Sequence, residues 1–204
     1  MKKTINKKTI APILIAVNTY FISYGVPKLL IHQKEYHYLS SALDDKIKVF
    51  APAVIIYVLS YLQWAYALRQ LSIQSDTKMV HQYCLAIIIG SLIGMFIFII
   101  YPTAIHIKPL NDNSLCARLL NFIYSIDYGS ECMPSFHTMC STFSCFILKG
   151  CNLNKKTRIN NYLFTILVLL SLLLTKQHVL IDIPTGFILA LFSLYLSKQI
   201  ISHN

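Results

Sequence analysis

The chain has 204 residues, of which 55% are hydrophobic and only 13% charged, against about 25% charged in an ordinary soluble domain. That composition excludes a soluble globular domain and points to an integral membrane protein. The formal net charge of +10 does not mark a nucleic-acid binder, because the basic residues are scattered between apolar runs rather than gathered on one patch.

In chain order, Met1-Lys2-Lys3 and Lys7-Lys8 precede an apolar run in the manner of a signal peptide. No small-residue cleavage site follows, so this first segment is expected to stay as an anchor. Apolar segments lie at about 10–31, 50–68, 80–101, 135–150, 160–175 and 180–201. Each is near the roughly twenty residues a helix needs to cross the hydrocarbon core. The expected fold is therefore all-α, a single membrane domain built as a six-helix bundle. Pro12 and Pro27 in the first segment and Pro184 in the sixth mark helix starts or kinks, since proline removes a helix hydrogen bond. Leu115 to Ile126 reads as a short amphipathic helix lying along the surface. Asp44 and Asp45, ahead of the second segment, are either a solvated turn or a polar rim.

Orientation follows from Lys and Arg placement. With the N-terminus inside, the cytoplasmic segments hold Lys2, Lys3, Lys7, Lys8, Arg69, Lys78, Lys149, Lys155, Lys156, Arg158 and Lys198. The opposite side receives Lys34, Lys46, Lys48, Lys108, Arg118 and Lys176 together with nearly all the acids, among them Glu35, Asp44, Asp45, Asp127, Glu131 and Asp182. Both termini are then cytoplasmic. Short loops and the lack of an organelle signal make a bacterial inner membrane the expected location, with the candidate site on its non-cytoplasmic face. The six cysteines form no C-x-x-C pair, so no metal site is expected; Cys116 and Cys132 share one polar loop and can pair if it faces an oxidising space.

Two stretches at the mouths of apolar runs carry the candidate site: Met133-Pro134-Ser135-Phe136-His137 and Thr175-Lys176-Gln177-His178-Val179-Leu180-Ile181-Asp182. A His or Asp there is costly unless something polar uses it. His178 and Asp182 are four residues apart, so on one helical turn they share a face and can touch. A carboxylate on one ring nitrogen sets the tautomer and raises the basicity of the other, as a histidine nucleophile or base requires. His137 is the candidate acidic partner. The topology opens Tyr101 to Pro109, Pro134 to His137 and His178 to Asp182 on the same non-cytoplasmic face.

These motifs resemble the type-2 phosphatidic acid phosphatase superfamily of membrane lipid phosphatases and phosphotransferases. Pro134-Ser135-Phe136-His137 matches its P-S-G-H motif with Phe136 for glycine, and His178 with Asp182 matches the core of its S-R-x5-H-x-x-x-D motif, where Ser171 keeps the serine and Leu172 replaces arginine. Tyr101 and Lys108-Pro109 occupy the frame of K-x6-R-P. The variants are most similar to the inositol phosphorylceramide synthase-like branch, and sphingomyelin synthases similarly lack the third-motif arginine.

The resemblance implies a cofactor-free, metal-free hydrolysis of a lipid phosphate or diphosphate. His178 would form a phosphohistidine, Asp182 would orient it, and His137 would protonate the leaving oxygen. Lys108, Lys176, Ser135 and Tyr101 would supply the phosphate site, with backbone N–H groups if Pro134 opens a helix. Alternatives stay open: a head-group transferase with a lipid acceptor, or a non-catalytic lipid-phosphate binder. At single positions, Lys108 and Lys176 can instead snorkel, Tyr101 can be an aromatic-belt residue, and Asp182 can cap the sixth helix.

Overall fold

The computed structural model describes residues 5–31 and 36–203; Lys2, Lys3, Lys34 and Glu35, used above for orientation, lie outside them. Among the described residues, the regular structure is helical apart from one small parallel β-pair and an isolated bridge between Ala104 and Ser130. A 3-10 turn at Lys7–Thr9 leads into α1 (Ile10–Leu30), followed by α2 (Ala42–Lys46), α3 (Ala53–Gln74), α4 (Thr77–Ile100), α5 (Leu115–Asp127), α6 (Phe136–Gly150), α7 (Lys155–Leu174) and α8 (Asp182–His203). β1 (His37–Tyr38) pairs with β2 (Thr103–Ala104) in register His37 to Thr103 and Tyr38 to Ala104.

Helix starts follow their caps rather than the edges of the apolar runs. The Asp76 side chain accepts from Met79 N at 2.6 Å and starts α4 before the apolar stretch. The Asn154 side chain accepts from Thr157 N at 2.7 Å, so the basic segment from Lys155 is helical. Each cap satisfies an N–H that lacks an intrahelical partner. Pro27 lies inside α1, where the Ile31 amide still reaches the Pro27 carbonyl at 2.9 Å.

Among the described residues, four helical segments are long and apolar enough to cross a membrane: Lys7–Leu30, Thr77–Ile100, Lys155–Leu174 and Asp182–His203. The two remaining spans expected from sequence differ for physical reasons. The 22-residue α3 is more polar; its buried Gln63 amide donates to Asn161 Oδ1 (2.9 Å) and Thr165 Oγ1 (2.7 Å) of α7. The 15 residues of α6 extend roughly 22 Å at 1.5 Å per residue, short of the roughly 30 Å hydrocarbon core.

In the bundle α6 is central, packing on α3, α4, α7 and α8, while α1 lies along α4. Both ends of α1 are tied: Thr9 and Ser72 share a hydrogen bond at one end, and Lys28 pairs with Asp127 at the other. The segments 36–52, 101–135 and 175–181 gather at the Lys28 end, while α1 begins and α8 ends at the Thr9 end. α5 forms as expected, burying Leu120 and Tyr124 and exposing Leu115 and Phe122. Cys116 and Cys132 are both free thiols.

Candidate active site

Both histidines, Ser135 and Asp182 meet at the loop-rich end. Ser135 caps α6, its Oγ accepting from Thr138 N at 3.2 Å. His137 follows in the first turn of α6, while His178 lies in the turn before α8. The expected shared helical face for His178 and Asp182 is therefore corrected, because α8 begins at Asp182 rather than 180. The contact nonetheless forms, since the Asp182 carboxylate folds back over its own helix start. Its Oδ2 accepts from the Val179 amide at 2.9 Å and lies 3.1 Å from His178 Nδ1. The same oxygen thus ties the turn before α8 to the imidazole; its amide partner Val179 precedes α8, so the contact is not a helix cap.

The other nitrogen of His178, Nε2, is 3.2 Å from Ser135 Oγ. With Nδ1 donating to the carboxylate, Nε2 is the acceptor for the serine hydroxyl. The His137 ring is centred 6.0 Å from that of His178, stacked on Tyr57 at 4.4 Å and flanked by Tyr61 at 5.5 Å and Trp64 at 5.2 Å. The four polar residues are buried, Ser135 and Asp182 completely. Among the described residues, His137 Nε2, Asp182 Oδ1, Thr138 Oγ1 and both polar atoms of Gln177 are buried without a hydrogen-bond partner. Such groups are costly to leave unpaired, and their concentration beside two imidazoles marks a place prepared for polar chemistry.

Two glycines permit this geometry. A Cβ on Gly94 of α4 would lie 2.1 Å from Cε1 of Phe136, so Gly94 makes room for the ring that stands in the P-S-G-H glycine position. Phe136 also packs on Tyr20, Tyr24 and Phe98. A Cβ on Gly186 would lie 2.3 Å from the Ser135 carbonyl oxygen, so only glycine lets α8 approach the start of α6 closely enough for Asp182 and Ser135 to share His178.

The expected cationic ligands are placed differently. Lys108 and Lys176 line a rim cavity of about 410 Å³ together with Asp44, Asp45, His106 and Tyr124. Lys176 adopts φ 50°, uncommon outside glycine, and its Nζ donates to the Asp44 carbonyl at 2.5 Å. Asp44 is the rim residue anticipated as one alternative. It closes a capping box at the start of α2 and accepts from the Leu180 amide at 2.7 Å. Burial pushes its carboxyl up, but hydrogen bonds from Ser41 and Leu180 and the charge of Lys176 outweigh this and hold it below the ordinary carboxylate range. Tyr101 lies outside the imidazole chamber, stacked on His37 at 4.1 Å and 38% exposed.

Sequence reading missed the aromatic wall from α3. Tyr57, Tyr61 and Trp64 fall at i, i+4 and i+7, the spacing of one helix face, and that stripe was the available signal. It also missed Glu131, 2% exposed beside Lys28 and hydrogen-bonded to Ser130, where burial pushes the carboxyl up to about 6.

No protein-family model matches the chain, and no curated protein matches it.

Proposed function

We propose that the chain is a six-span membrane enzyme that hydrolyses a lipid phosphate or diphosphate through a phosphohistidine, with its site on the non-cytoplasmic face of a bacterial inner membrane. The observation that carries this reading is His178 engaged at both nitrogens, by Asp182 and Ser135, with the second imidazole 6.0 Å away. α3, packed on α6 and α7, and the central α6 complete the spans. The basic residues Lys7, Lys8, Arg69, Lys78, Lys149, Lys155 and Arg158 lie at the helix ends remote from the site, which agrees with a cytoplasmic far end.

In the proposed reaction Ser135 releases Nε2 of His178, which attacks phosphorus as the bond to the leaving oxygen breaks. Asp182 holds the Nδ1 proton and stabilises the positive charge that develops on the ring. His137 gives a proton to the departing oxygen and then takes one from water, which attacks phosphorus, breaks the P–N bond and releases phosphate. Ser135 and the first amides of α6 meet the non-bridging oxygens, since phosphoryl transfer relies on positioning and charge stabilisation.

Rapid quenching with a lipid phosphate labelled in the phosphoryl group tests this directly. An acid-labile, base-stable phosphoenzyme that His178→Ala lacks is the expected result; undiminished turnover by a well-folded His178→Ala protein overturns it. The rim cavity favours a second reading, head-group transfer to a lipid alcohol, because it places lysines and carboxylates beside the loop that carries His178. Formation of a new lipid only when acceptor is supplied distinguishes transfer from hydrolysis.

A further inference from the structure

A second cavity adjoins the imidazole chamber, and its lining is of the opposite character. About 240 Å³ in volume, it lies between α1 and α3 over a floor of α4 and α6. Tyr61 and Trp64, which flank the His137 ring, are also walls of this cavity. From Tyr61 to Leu68 on α3, and from Cys140 to Ile147 on α6, it extends seven residues, roughly 10 Å along the helices at 1.5 Å per residue. α3 and α6 run in parallel, since Tyr57 stacks on His137 and Trp64 bonds Ser141. The cavity therefore continues from the histidine level toward the centre of the bundle.

Its lining is almost wholly apolar, and two of its polar groups are already engaged. Ser144 Oγ donates to the Cys140 carbonyl at 3.0 Å, and Trp64 Nε1 donates to Ser141 Oγ at 3.1 Å. Water would find almost nothing to bond there. Hydrocarbon is the one filling that suits both the lining and the surroundings. The cleft also has a side entrance, because α1 packs on α4 whereas α3 packs on α6 and α7. Phe21 and Ala65 stand exposed at that edge.

From this continuity we infer that the α1/α3 cleft is the chain-binding subsite of the site proposed above, and that one hydrocarbon chain of the phosphate-bearing substrate enters between these helices and runs past Trp64 toward Leu68 and Ile147. The inference rests on the lipid-phosphate reading and adds to it a route of entry, a single-chain groove and a lower end that limits how much chain is held. A bulk membrane lipid in the same cleft would be indifferent to the phosphate.

Trp64 is the one tryptophan in the chain, so its fluorescence reports the cleft without reference to turnover. The full chain in bilayers is titrated with a single-chain alkylphosphonate brominated at mid-chain, which cannot be hydrolysed at its C–P bond. The unbrominated phosphonate sets the baseline, and a brominated alcohol of the same chain is the competitor. Saturable quenching at about tenfold lower concentration of phosphonate than of alcohol is expected, a preference of about 1.4 kcal/mol. Ala65→Phe at the entrance and Leu68→Phe at the lower end should each reduce that preference about tenfold, as when an apolar pocket loses room for a methylene or two. Equal quenching by phosphonate and alcohol, or a preference untouched by either variant, overturns the inference. Selective quenching without a phosphoenzyme would instead fault the catalytic reading, and a phosphoenzyme without selective quenching would fault the groove.

Discussion

The imidazole chamber and the lysine-lined rim cavity occupy the same end of the bundle but are built in opposite ways. In the chamber, short, stiff side chains are immobilised by helix starts and aromatic walls; His178 is fixed at Nδ1 and Nε2, and His137 by stacking on Tyr57. At the rim, long flexible lysines are carried on loops, and Lys176 is tied through the backbone carbonyl of Asp44. Burial with engaged polar atoms fixes geometry to fractions of an ångström, whereas a partly exposed lysine contributes charge with little directional constraint. On the proposed reading, bond-making belongs to the chamber and substrate attraction to the rim.

The largest expected effects break the chamber alone. His178→Ala should lower turnover about 10⁴-fold or more while the melting temperature changes little. Asp182→Asn, which leaves an oxygen but loses the charge and can donate where an acceptor is required, should cost roughly 10²–10⁴-fold. A kinetic effect of either variant no larger than that of a rim lysine would erase the distinction between the two regions.

Packing at the chamber wall sharpens the comparison on a stability scale. Gly94→Ala drives a methyl into Phe136 and should destabilise by about 1–3 kcal/mol, and Phe136→Ala should cost about 3–5 kcal/mol. Because each relieves or creates the same overlap, the double variant should be more stable than the two penalties added. Strict additivity in thermal unfolding would show that the ring is not held by Gly94.

Glu131 adds a pH dependence to the loop that precedes α6. Its carboxyl is raised from 4.5 to about 6 chiefly by burial, so between those values the folded chain keeps a proton that the unfolded chain releases. The contribution to stability is full below about pH 4.5 and is lost as the pH rises through about 6, amounting to about 2 kcal/mol. Glu131→Gln should flatten that slope in melting curves across the window; an unchanged slope assigns it to another group. The smallest effect is expected at the rim, where Lys176→Ala should raise KM about tenfold with kcat nearly preserved, as for a group that binds ground and transition states alike.

Particular residues show how far the chain could be read before folding. The runs that became α1, α4, α7 and α8 were legible because a membrane-crossing helix announces itself by length and apolarity alone. His137, His178, Ser135 and Asp182 were legible because polar residues at the mouths of such runs are costly without a partner. The β-pair joining His37–Tyr38 to Thr103–Ala104, the Asp44 strap over Leu180 and the Gly94 notch for Phe136 were not. Each joins segments more than forty residues apart, and no local periodicity encodes which loop meets which. Lys108 and Lys176 illustrate the same limit: both were found as cations, but nothing local indicated that they share a cavity outside the chamber.

What the order of amino acids determined by itself was the helical, strongly apolar character of the chain and the candidacy of His137 and His178, because apolar run length and the cost of a polar residue at the mouth of such a run are both local properties. What only the tertiary structure decided was which atoms touch: that one oxygen of Asp182 holds both the Val179 amide and His178, that Ser135 faces the opposite nitrogen, and that aromatic side chains of α3 flank His137 and also line an apolar cleft. Those contacts depend on close approach between helices distant in sequence. They are set by where glycine permits that approach and where burial leaves a polar group no other partner.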